Sequence, residues 1–157
     1  MASPSDIRVA VRADGSVPSR TFTVEEANRV LPAIEGIFHT MDNRHVRRRE
    51  VSDLIEDLAS YWGDQLVGYD CPDRGNYVRL LRERDDLQSF LEEDTERIHA
   101  LGASLKDYSA GLVDFYGQVD GALVLLCWQR GEPEVKFFHP LEGGYSARQP
   151  LTRGPKK

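Results

Sequence analysis

The hydrophobic period of this chain changes once, at Gly102, and that change constrains the fold more than any other feature. Before it, apolar residues recur at Ala27, Val30, Leu31, Ile34, Ile37, Phe38 and Met41, then at Val51, Leu54, Ile55, Leu58, Tyr61 and Trp62. That is one face of a 3.6-residue repeat. A second helical row runs through Tyr77, Leu80, Leu81, Leu87, Phe90, Leu91, Ile98 and Leu101. Beyond Gly102 the period falls to two, in stretches 111–117, 122–128 and 134–139, as strands require. The sequence therefore predicts an α+β fold, a long antiparallel helical hairpin followed by a three-stranded antiparallel β-meander.

Local signals place the ends of these elements. Thr23-Val24-Glu25-Glu26 is a capping box, so a helix should start at Val24. Pro32 should kink that helix or mark a restart, because it lacks a donor and crowds the preceding turn. Between Asp42 and Glu50 the stripe lapses except at Val46, so this part is expected to project beyond the core or meet a partner. Gly63 to Gly75 supplies the turn residues of a connection, and Gly102 a C-terminal stop. Asp120-Gly121 is a favoured hairpin turn. The strand Ala122–Trp128 is apolar on both faces, so it needs helices on one side and a second cover, read here as a partner subunit, on the other. Residues 1–20 read as a mobile arm, 21–151 as one domain and 152–157 as a basic tail.

Composition removes several function classes. The net charge of −6 and pI near 5.2 argue against a general electrostatic grip on nucleic acid. The local run Arg44 to Arg49 is offset by acids at Glu83, Asp85, Asp86, Glu92 and Glu93, and reads as a solvated face. The longest apolar run, Ala122 to Trp128, is seven residues, against the ~20 that span a bilayer as a helix. With no signal-peptide pattern at the start, a cytoplasmic location and no membrane partner are expected. The two cysteines, Cys71 and Cys127, show no CxxC or metal-ligand spacing. Both are read as reduced thiols, with Cys127 inert in an apolar strand.

Several segments together carry a family resemblance. They are Phe22-Thr23-x-Glu25-Glu26-Ala27-Asn28-x-x-Leu31-Pro32, Leu105-Lys106-Asp107 with Gly111 to Phe115, Leu126-Cys127-Trp128-x-x-Gly131-Glu132-Pro133, and His139 with Arg148-Gln149-Pro150-Leu151. The combination resembles a bacterial family of unknown function, DUF2203, over about residues 22–151. This chain departs from it in having Phe138 where the family favours Trp and Ala147 where it favours Gly. The resemblance implies an identity but brings no catalytic residues.

Chemistry is expected where the last strand ends. Alternation puts Val135, Phe137 and His139 on one face, and Pro140 stops pairing directly after. His139 with Glu142 can ligate a divalent transition metal, zinc or iron, while Arg148 can clamp an anion or orient Glu132. The competing reading is that His139 and Arg148 satisfy backbone and carboxylate groups at the core's edge. A weaker constellation lies on the helices, where Glu35, His39 and Asp42 share a spacing with Glu92, Glu96 and His99. In a hairpin turning between Trp62 and Tyr77, His39 is level with His99 and Asp42 with Glu96. Glu96-x-x-His99 is also the spacing of carboxylate-bridged di-iron bundles. Asp107 and Asp114 read as a carboxylate pair or as turn-capping and strand-edge residues. No Gly-x-Ser-x-Gly, Walker-type loop or His-Glu-x-x-His occurs.

The functional expectation is a self-associating homo-oligomeric binding protein without catalysis, holding a metal or small ligand near Glu132, His139, Glu142 and Arg148. The alternative is a metal-dependent, oxidoreductase-like enzyme using the helical Glu/His ligands.

Overall fold

Helix α1 (Val24–Trp62) begins where the capping box dictates. The Thr23 amide donates to Glu26 Oε1 at 3.1 Å, and the Glu26 amide donates to Thr23 Oγ1 at 3.1 Å. The computed structural model describes residues 20–151, so the predicted basic tail and nearly all of the predicted arm lie outside the described residues. Helix α1 runs through Pro32 as one helix, which removes the restart of the two alternatives. Helix α2 (Arg74–Ala100) ends before Gly102, whose φ of +93° no L side chain tolerates well. A Cβ at Gly102 would also stand 2.4 Å from the Phe22 ring.

Five strands follow, not three: β1 (Ser104–Asp107), β2 (Leu112–Val119), β3 (Ala122–Gln129), β4 (Phe137–His139) and β5 (Gln149–Pro150). They form one antiparallel sheet in sequence order. Strands β1 and β5 are too short to show a two-residue period, which is why the meander is expected with only three. Strand β4 is also shorter than the expected 134–139. The Val135 amide leaves the ladder and donates to Asn28 Oδ1 on α1 at 2.7 Å.

The described residues divide into two compact units, one holding 20–35 and 98–151, the other Gly36–Arg97. In the first, Val113, Phe115, Val124, Leu126 and Trp128 are buried on one sheet face. Phe22 packs edge-on to Phe115 at 5.2 Å and donates its amide to the Tyr116 carbonyl. The opposite face carries Leu125 and Cys127, which are 5% and 2% exposed in the isolated chain. Leu141, Gly143, Gly144 and Tyr145 line the space over that face. The expected partner subunit is therefore not required as a cover, because the C-terminal segment supplies it.

In the second unit Val51, Leu80 and Leu87 form a core with Ile55 and Leu58 packed against it. Three arginines of the stretch where the apolar stripe lapses are engaged within this unit. Arg44 reaches Asp94, Arg47 reaches Glu83, and Arg48 reaches Gln88, at 2.6, 2.6 and 2.7 Å. Trp62 Nε1 donates to Asp73 Oδ2 at 2.8 Å and closes the connection. Among the described residues no helix is long and apolar enough to cross a membrane.

The capping box has a measurable acid signature. The backbone and hydroxyl of Thr23, and then Arg20, hold the Glu26 carboxyl below its usual 4.5. A depressed folded-state pKa stabilises the fold above the unfolded value, and that contribution is lost as pH falls through the folded value. Thr23→Ala should cost about 1 kcal/mol in denaturant unfolding at neutral pH. Glu26→Gln, which keeps the acceptor, should flatten the pH dependence of stability below 4.5. An unchanged acid limb in Glu26→Gln would remove this assignment.

Candidate metal centre

The turn between β2 and β3 sets the first half of the site. Asp120 and Gly121 adopt φ values of 54° and 78°, the conformation of a two-residue hairpin loop. Pairing outward from that turn puts Asp114 opposite Cys127. The next hairpin puts His139 opposite Leu125, two residues from Cys127 and on its face of the sheet. Three adjacent strands thus deliver a carboxylate, a thiol and an imidazole to one place. All three residues are buried, and their ligand atoms lie within 4.8 Å of one another.

The histidine's hydrogen bonds decide what this cluster can hold. His139 Nδ1 is 2.8 Å from the Pro140 carbonyl oxygen, and Nε2 is 3.1 Å from Asp114 Oδ2. A carbonyl only accepts, so the proton of a neutral ring sits on Nδ1. Nε2 then turns its lone pair toward a carboxylate oxygen. Two acceptors at that distance need a proton or a cation between them. Asp114 Oδ1 is also buried without a hydrogen-bond partner, and burying a polar atom in that way costs about 1–3 kcal/mol.

Burial, and next the Asp114 charge, push the Cys127 thiol up to about 12, against the opposing pull of Arg148. Alone it is a protonated, unreactive thiol at neutral pH. A divalent cation at this point would take the place of that proton.

Glu132 and Arg148 stand beside the cluster and are engaged with each other. Arg148 Nη2 donates to Glu132 Oε1 at 2.5 Å and to the Cys127 carbonyl at 3.2 Å. Its guanidinium lies 4.1 Å from the Phe137 ring centroid and 4.9 Å from that of Tyr145. Glu132 Oε1 also accepts the Gln129 amide, tying the β3–β4 turn. Together they hold the C-terminal segment over the sheet face that carries Cys127.

The structure places the other sequence-derived candidates elsewhere. Glu142 is exposed and outside the cluster. His39, Glu96 and His99 are exposed and Asp42 half-buried. Among the described residues of the helical hairpin unit, His39, Asp42 and Glu96 do not come together as a three-ligand group. Asp114 and Cys127 are the residues that sequence reasoning passed over as ligands. Counting outward from Asp120-Gly121 was enough to oppose them.

A family model described as "Uncharacterized conserved protein (DUF2203)" matches residues 20–151. No curated protein and no solved structure matches the chain.

Proposed function

The chain belongs to the DUF2203 family, and we propose that it is a divalent-metal-binding protein with Asp114, Cys127 and His139 as ligands. The observation that carries this reading is the convergence of three buried ligand atoms within 4.8 Å of one another, one of them on an imidazole whose Nδ1 is already tied to a backbone carbonyl. A backbone carbonyl on one ring nitrogen, orienting the other toward the metal, is the usual arrangement of a ligating histidine. One sulfur, one nitrogen and one oxygen favour zinc over magnesium or calcium. The 3.1 Å between Nε2 and Oδ2 is close to the edge of a tetrahedron with bonds of ~2.0–2.1 Å. Thiolate and carboxylate together would neutralise a divalent ion. Three protein ligands would leave a metal room for one more, and the same three residues line a cavity of about 200 Å³.

Elemental analysis of protein purified without a histidine tag tests the reading. One zinc per chain is expected, and none in Cys127→Ala or His139→Ala. Failure of the parent protein to retain or take up zinc from a slight excess would overturn it.

Self-association through the helical hairpin unit is a second element of the proposal. It is favoured by Val46, Leu54, Val78 and Phe90, each 42–52% exposed, and by Tyr61 at 79%. Sedimentation across a concentration series should give a mass above that of one chain. A monomer throughout would remove this element and leave the metal centre untouched.

A further inference from the structure

The cavity above the three candidate ligands combines one cation with an aliphatic wall. Leu112, Leu125 and Leu141 line it, and Lys106 and Tyr145 stand at its exposed margin. The lysine is delivered by an irregularity in the sheet. Register steps from Leu105 opposite Val113 to Asp107 opposite Leu112, so Lys106 is the extra residue of a β-bulge. Bulges of this kind re-aim a side chain beside a site. Among the described residues the Lys106 ammonium has no ion-pair partner. The Tyr145 hydroxyl is occupied as a donor to Gln129 Oε1.

Resting on the metal reading above, we infer that the open coordination position takes the carboxylate of a short aliphatic monocarboxylic acid, with Lys106 as its counter-charge. One carboxylate oxygen would occupy the fourth position and the second would face the ammonium. The alkyl chain would lie against the three leucines and displace water from them. A cavity of about 200 Å³ holds only a few water-sized groups, which limits the acid to a short one. A phosphate dianion fits the lining poorly, because a single lysine balances only part of its charge and it brings nothing to place on the leucines.

Calorimetric titration of zinc-loaded full-length protein with acetate, propanoate, butanoate, pentanoate and inorganic phosphate tests the inference. The cobalt-substituted protein provides a visible-spectrum readout of the same binding. Affinity should rise about fourfold per methylene from acetate to butanoate, the increment expected for burying one CH₂. Butanoate should perturb the cobalt spectrum, and phosphate should bind more weakly. Lys106→Met should weaken butanoate several-fold while leaving metal content at one per chain. The inference is overturned by affinity independent of chain length, by phosphate binding as tightly as butanoate, by an unaltered Lys106→Met, or by equal butanoate affinity in metal-free protein. Metal content measured on the same samples separates the two failures. Absent metal sinks the metal reading itself, whereas bound metal with a flat titration sinks only the carboxylate.

Discussion

Arg44→Met should lower the stability of the chain by about 3–5 kcal/mol in denaturant unfolding, more than any other single charge removal on the helical hairpin unit. The expectation comes from an asymmetry in burial. Asp94 is 1% exposed at its side chain, whereas Arg44 is 29% exposed. Arg44 Nη1 donates to Asp94 Oδ2 at 2.6 Å and to the Phe90 carbonyl at 3.1 Å. Its guanidinium also lies 5.0 Å from the Phe90 ring centroid. Removing the arginine leaves a carboxylate that cannot reach water and keeps only Arg97, at 3.4 Å. Asp94→Ala leaves a cation that can turn to solvent, so its cost should be smaller, about 1–3 kcal/mol. The double variant Arg44→Met with Asp94→Leu should recover most of the loss, because a matched apolar pair carries no desolvation penalty. Equal costs for the two single variants, or a double variant as unstable as Arg44→Met, would show that the pair does not act this way. By contrast, Arg47 with Glu83 and Glu50 is solvent-exposed, and its removal should cost far less, by an amount that falls with salt.

The helical part of the fold was legible because its signals are local and repeated. An apolar stripe marks the length of α1, and the Thr23 and Glu26 pair marks its start. The stretch 42–50 misled because an arginine looks the same in sequence whether it faces water or Asp94. Only pairing between helices distinguishes the two. In the sheet, the two-residue turn made the β2–β3 register countable, yet each residue of the Asp114–Cys127 pair had an ordinary explanation by itself. Cys127 sits in an apolar run and reads as core; Asp114 reads as a strand edge. His139 could not be registered against them, because the connection from β3 to β4 is irregular and is held by Asn28, 107 residues before Val135. The covering of the second sheet face was likewise out of reach. It depends on Arg148 finding Glu132 and the Phe137 ring, contacts with no periodic trace.

Asp114→Asn should destabilise the protein in the presence of zinc and not in its absence, and this is the sharpest consequence of the proposed centre. With zinc in excess at a thousand times its dissociation constant, the parent protein gains about 4 kcal/mol from binding that the unfolded chain lacks. An amide is a far poorer zinc ligand than a carboxylate, so the variant should forfeit most of that gain and melt at a lower temperature. With a chelator the ranking should level or invert. His139 Nδ1 remains tied to Pro140, and Nε2 still presents a lone pair at 3.1 Å from the side chain of residue 114. Asparagine can turn an N–H toward that lone pair and satisfy it, whereas the parent pair needs an added proton on one partner or the other. The variant should therefore be at least as stable as the parent in chelator. A merely structural His139–Asp114 hydrogen bond predicts instead the same stability difference in both conditions. Paired melting curves in zinc and in chelator decide between them, because only a metal makes the effect of the substitution depend on the buffer.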